Sequence, residues 1–161
     1  AEVPDARLAV AGAPGPAEGA VRAAIERTGT GDAVALLGHR PDARALVAAA
    51  DVFAFSSLSE GLPGAVVEAL VLGTPVAAFA IPPVTELTDG DRHAWLAEPG
   101  DPDALAAAML AAWRAPDRRE RARSSQAWAR RTYALSAVAR DLGDLLEARA
   151  VGARASLEER P

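Results

Sequence analysis

Residues Val52–Phe79 read VFAFSSLSEGLPGAVVEALVLGTPVAAF, and their order of apolar runs and breakers decides the fold. Val52–Phe55 and Val76–Phe79 are short apolar runs of strand length, while Pro63–Leu72 is an apolar helical segment closed by Gly73. A strand, a helix and a strand in that order imply a βαβ unit with parallel strands. Pro63 suits a first helical position, because its fixed φ fits there and its missing N–H would be unpaired anyway. The helix is therefore expected to start near Pro63.

The same pattern continues outward. Leu8–Ala11 and Val34–Leu37 read as further buried parallel strands, and Ala94–Ala97 as a last, shorter one. Ala17–Thr28 and Asp42–Ala50 read as the intervening helices. After Pro99-Gly100-Asp101-Pro102 the chain turns helical, with a break at Ala115-Pro116 and a bend between Tyr133 and Ser136. The expected fold is α/β: a Rossmann-like parallel sheet flanked by helices. One domain is expected over residues 1–150, with a frayed tail over 151–161.

The loop before the central helix is a candidate ligand site. The first amides of a helix have no partner in the helix, and Gly61 and Gly64 would let a phosphate or other anion approach them closely. Glu60 stands just before this end. Glu68 is the sole polar side chain from Pro63 to Leu72, and a carboxylate in so apolar a helix needs partners or a water-lined pocket. A purely structural reading stays open, with Glu60 a loop carboxylate beside a helix dipole and Glu68 held by a local arginine.

At these residues the chain resembles a known family. Glu60-Gly61-x-Pro63, then Glu68-Ala69-Leu70 and Gly73-Thr74-Pro75-Val76, is similar to the paired-glutamate signature of family-4 retaining glycosyltransferases, two-domain enzymes of GT-B architecture. Pro4-Asp5-Ala6-Arg7-Leu8, Leu37-Gly38-His39-Arg40, Ala49-Ala50-Asp51-Val52-Phe53 and Pro99-Gly100-Asp101 follow in the family's order. The resemblance implies the C-terminal, donor-binding half of such an enzyme, moving a sugar from a nucleoside-diphosphate sugar to an acceptor. It implies that Glu60, the candidate catalytic residue, binds donor-sugar hydroxyls. Gly61, Leu62, Pro63 and Gly64 would hold the sugar and distal phosphate, and Glu68 the ribose hydroxyls. His39 and Arg40 fall where the family's nucleobase-contacting loop lies; a surface turn with no ligand role is the competing reading. No nucleophile is assigned. No metal or other cofactor is expected, and the implied partners are the donor and an N-terminal acceptor domain.

Two departures from the family stand out. Its first strand and helix, which carry the diphosphate clamp, are missing before Leu8, and in a sheet of order 3-2-1-4-5-6 that strand is central. Direct pairing of Leu8–Ala11 with Val52–Phe55 would remove the need for it. Pro82-Pro83 also replace a glycine pair in a loop that passes close to the donor, which removes two amide donors. The alternative function is accordingly a non-catalytic or degenerate sugar-nucleotide-binding module, with a related epimerase or phosphorylase-like enzyme as a third. The competing reading of the prolines is a stiffened turn, with Glu86 an acid at a helix start.

Composition bounds the rest. The chain has 161 residues, half of them apolar and 4% aromatic, so small-side-chain helices on a buried sheet are expected. A net charge of −5 gives no electrostatic reason for a nucleic-acid partner. The absence of cysteine excludes disulfides and thiolate chemistry. All seventeen basic residues are arginine. The apolar stretch from Ala65 to Pro82 is broken by Glu68, Gly73 and Pro75, and Ala1–Asp5 lacks the character of a signal peptide, so a cytoplasmic protein is expected. His39 and His93 form no metal motif. The arginines from Arg118 to Arg131 read as a solvated helix face or a docking surface for the missing domain, with contact to an anionic membrane or acceptor as the weaker alternative, and Trp113 and Trp128 as core or interdomain packing residues.

Overall fold

The computed structural model describes Val3 and residues 5–144; the expected tail over 151–161 and the domain boundary at 150 lie outside them. The chain forms two compact units, one up to Leu46 and the other from Val47.

The first unit holds β1 (Leu8–Ala11), α1 (Glu18–Thr28) and β2 (Val34–Gly38). β1 and β2 pair in parallel, Leu8 opposite Val34 and Val10 opposite Leu36, before a register shift sets Ala11 opposite Gly38. α1 carries a Glu18–Arg22 ion pair at 2.5 Å and ends on Gly29 in the left-handed region, φ 63°. The sequence implies a buried β1, and the structure corrects this: all four residues are exposed, Leu8 at 44% and Val10 at 42%. A strand with one neighbour in a two-stranded ladder lacks the layers that bury both faces.

α2 (Ala43–Ala49) leads into the second unit. There β3 (Phe53–Phe55), β4 (Val76–Phe79) and β5 (Trp95–Ala97) make a parallel sheet in that order, Phe53 opposite Val76 and Ala77 opposite Trp95. β4, paired on both sides, is buried throughout; β2 and β3 are only partly buried. α3 (Gly64–Leu72) connects β3 to β4, and α4 (Pro82–Leu87) with a 3-10 turn (Gly90–Arg92) connects β4 to β5. α5 (Pro102–Arg114) and α6 (Arg118–Thr132) follow, and residues 135–144 are helical again. Asp101 caps α5, its carboxylate accepting from the Asp103 and Ala104 amides at 2.9 and 3.0 Å.

Val66, Ala69 and Leu70 of α3, all of β4, Val84, Leu105, Ala108 and Ala129 form the core. Alanine on facing elements lets α3, α5 and α6 lie close to the sheet and to one another, as the composition implies.

Candidate functional site

Three parallel strands put their carboxyl ends on one edge of the second unit's sheet, the edge where ligands bind in open α/β folds. The loops leaving β3 and β5 and the start of α4 gather there. Glu60, Gly61 and Leu62 are exposed on the first loop, Leu62 at 72%, whereas Pro63 is fully buried and anchors the loop to the core.

Pro63 is the N-cap of α3 rather than its first residue, with φ −74° and ψ 74°, and Gly64 opens the helix. Its φ suits a helix but its ψ does not, so it sits half in, its carbonyl accepting from the Val66 and Val67 amides at 2.9 and 3.4 Å. The Gly64 amide turns back onto the Leu62 carbonyl at 2.8 Å. Fewer amides than expected are thus left over: among the described residues, Ala65 is the one amide of this first turn that no backbone carbonyl takes up. A Cβ placed on Gly61 or on Gly64 meets nothing within 4 Å, so a ligand has room against the backbone.

Glu68 lies one turn beyond Gly64, about 6 Å along the axis and on the same helix face. It is half-buried rather than enclosed. Gly61, Leu62, Pro63, Gly64 and Glu68 therefore share one helix end, with Glu60 on the loop above it. His39 and Arg40 belong to the first unit, where both are exposed after β2. Arg40 forks onto Asp42, Nε to Oδ1 at 2.7 Å and Nη2 to Oδ2 at 2.6 Å, and this hydrogen bonding holds the Asp42 carboxyl below its ordinary range.

Pro82 and Pro83 correct the expectation of a loop. They open α4 at its first two positions, where an amide would have no helical partner, so the missing N–H groups cost the fold nothing. Glu86 stands in the last turn of this short helix, not at its start, and is exposed.

Sequence reasoning missed a polar cluster beneath α6. His93, 7% exposed, shares a hydrogen bond from Nδ1 to the Ser125 hydroxyl at 3.0 Å, and burial pushes its pKa below the ordinary value. Trp128 is partly buried against the core with Tyr133 edge-on, and the Tyr133 hydroxyl donates to the Leu87 carbonyl at 2.9 Å. Trp113 is exposed at 42%, so it is not a core residue. Arg121 lies over Trp95, 4.0 Å from the ring centroid, and donates to the carbonyls of Ala94, at 2.7 Å, and Asp91. The arginine segment is therefore only partly a solvated face. No local pattern signals these contacts, whose hydrogen bonds join residues 27 to 46 positions apart.

Among the described residues, no group of three His, Asp or Glu side chains is placed to hold a metal ion, and no helix is long and apolar enough to cross a membrane.

Comparison with known proteins follows the same lines as the geometry. Amylovoran biosynthesis glycosyltransferase AmsK of Erwinia amylovora is 34% identical over 104 residues, 60% of this chain and 26% of AmsK. The crystal structure of Anabaena HepE in complex with UDP superposes with a TM-score of 0.80 at 25% identity, covering 91% of this chain and 42% of HepE. Sucrose-phosphate synthase from Thermosynechococcus elongatus also gives 0.80, covering 94% of this chain and 40% of the synthase; at 22% identity it shows a shared fold alone. The chain spans 26% of the curated relative and 42% of HepE. Residues 1–115, well over half of the sequence, match the model of the glycosyl transferases group 1, and the chain belongs to that family.

Proposed function

We propose that this chain is the donor-binding part of a retaining glycosyltransferase that moves a sugar from a nucleoside-diphosphate sugar to an acceptor. The observation that carries the reading is the opening of α3: an unengaged amide and two glycines with open space at the carboxyl edge of a parallel sheet, flanked by Glu60 and Glu68. A helix amino-terminus stabilises the charge that develops on a leaving diphosphate. Glu60 acts as the catalytic-site carboxylate by accepting hydrogen bonds from the donor sugar, and Gly61–Gly64 line the sugar and distal phosphate. Glu68 accepts two O–H bonds from the ribose, charge-assisted and hence stronger than neutral ones. His39 and Arg40 face the nucleobase. HepE has been crystallised with UDP and with UDP-glucose, which supports a uridine nucleotide as the first donor to try.

In this reading no metal takes part, the enzyme works in the cytoplasm, and a separate N-terminal domain supplies the acceptor site. Holding donor and acceptor together provides much of the rate, so the chain by itself binds without turnover. A second reading, a binding module without catalysis, is favoured by Pro82-Pro83, which offer no amide to a donor.

Calorimetry with UDP, GDP and ADP tests both. One nucleotide is expected to bind, and Glu68→Ala to weaken it by at least about tenfold, as the loss of two charge-assisted hydrogen bonds implies. No binding of any of the three would sink both readings, and equal affinity in the variant would remove Glu68 from the ribose. Turnover of the donor by a protein that contains the acceptor domain, lost in Glu60→Gln with nucleotide affinity kept, separates the enzyme from the module.

A further inference from the structure

The opposite edge of the second unit's sheet carries a groove of about 360 Å³ below the start of β3 and β4. Its walls include Arg118, Arg119, Arg123, Asp51 and Gln126, and Gly73 lies in its floor. Three guanidinium groups thus face one carboxylate, in a chain whose net charge is −5.

The arginines are not equivalent. Arg118 is tied down: it lies 3.6 Å from the Asp51 carboxylate and donates to the Trp113 carbonyl at 2.8 Å. That contact engages the groove's one acid. Arg119 and Arg123 make no hydrogen bond or ion pair among the described residues and stand four positions apart, on one face of α6. Two guanidinium forks carried on adjacent turns, with Cβ atoms about 6 Å apart by helical spacing, can grip a tetrahedral oxyanion from two sides.

The negative end of α3 points the same way and would repel an anion, but three of its last four carbonyls are taken up. The Val71 carbonyl accepts from Gln126 at 3.1 Å and Arg130 at 3.3 Å, and the Ala69 and Leu70 carbonyls accept from the Thr74 and Gly73 amides. Gly73 also keeps the floor low: a Cβ there would lie 2.9 Å from Gln126 Nε2.

We propose that this groove is a second binding site, for a phosphate-bearing ligand, with Arg119 and Arg123 as its anion-gripping residues. It lies at the far end of α3 from the Gly61–Gly64 loop, about 13 Å by helical rise over nine residues. It is independent of the donor reading.

The probe is inorganic pyrophosphate, titrated into the isotopically labelled chain and followed by amide chemical shifts. Saturable shifts at residues 119–126 and Gly73 are expected, with at least a tenfold loss of affinity in Arg119→Ala/Arg123→Ala and none in Glu68→Ala. Arg119→Gln/Arg123→Gln gives the same comparison if the alanine pair fails to fold, and circular dichroism verifies the helices. Shifts confined to Gly61–Val67, equal affinity in wild type and the double variants, or equal competition by citrate at matched ionic strength would overturn the site. Cosedimentation with vesicles containing phosphatidic acid, lost in the same variants, assigns the phosphate to a lipid headgroup; binding of pyrophosphate without vesicle binding assigns it to a soluble ligand.

Discussion

The imidazole of His93 lies flat on the indole of Trp128, with ring centroids 4.1 Å apart and planes 19° from parallel. The stack fastens the β5 approach to α6, and at the edge of the ring Nδ1 shares its hydrogen bond with the Ser125 hydroxyl. A neutral imidazole suits that apolar setting. Burial lowers the His93 pKa, the charges of Arg92 and Arg121 add to this, and the Asp89 carboxylate opposes it.

Stability should therefore depend on pH through His93. The unfolded chain takes up a proton near pH 6.5, while the folded chain does so only at lower pH. The contribution is fully present above about pH 6.5 and is lost as pH falls from there to the folded pKa. Urea denaturation between pH 5 and 8 should show a lower midpoint on the acid side, with a weaker pH dependence in His93→Gln. Parallel curves for the two proteins would rule His93 out as the source.

Gly73 should tolerate no side chain. Its φ is 80°, and an added Cβ would stand 2.9 Å from Gln126 Nε2. Gly73→Ala is expected to cost about 1–3 kcal/mol and lower the melting temperature by several degrees. Gly61→Ala, with open space around its Cβ, should lie within about 0.5 kcal/mol of wild type.

Truncations of leucine should separate the two units. Leu70, 1% exposed, should cost about 2–5 kcal/mol on mutation to alanine, since a cavity remains in the core. Leu8, 44% exposed on β1, should cost much less. Thermal melts of the two variants supply the comparison, and equal losses would contradict the burial pattern.

Arg121→Lys should be destabilising although charge is kept. One nitrogen, Nη2, donates to both the Asp91 and Ala94 carbonyls while the planar guanidinium covers Trp95, and a compact lysine ammonium cannot lie flat on the ring and reach both carbonyls at once. A loss of about 1–2 kcal/mol is expected in denaturant titration, against no measurable loss for Arg131→Lys on the exposed face.

Much of the fold is legible because glycine and proline punctuate it. β4 and β1 match their apolar runs residue for residue, and α3 ends at Gly73 as read. The start of α3 is displaced by one residue because φ alone does not distinguish an N-cap proline from a first helical one; ψ does, and it is set by packing of Pro63 in the core. α4 escaped notice because two prolines resemble a turn, yet they are at home in the first positions of a helix. The loop from Glu60 to Gly64 is legible as chemistry, since its residue types and order are local. The partners of His93 and Arg121 are not, because such contacts depend on how α6 is laid across the sheet.

The core begins at Pro63. Among the described residues none before it is buried, and every buried side chain comes from there onward. Selection for stability consequently acts on the two parts of the chain with very different force. Substitutions in the later part are screened by packing before any ligand is met, so its sequence is held by volume and shape. Of the earlier part, Val47, Val52, Phe53 and Phe55 pack partly buried against the core and feel that screen, whereas the described residues up to Leu46 include no buried side chain and can drift wherever no ligand or partner touches them. Residues that stay fixed there across related proteins would be held by what they bind.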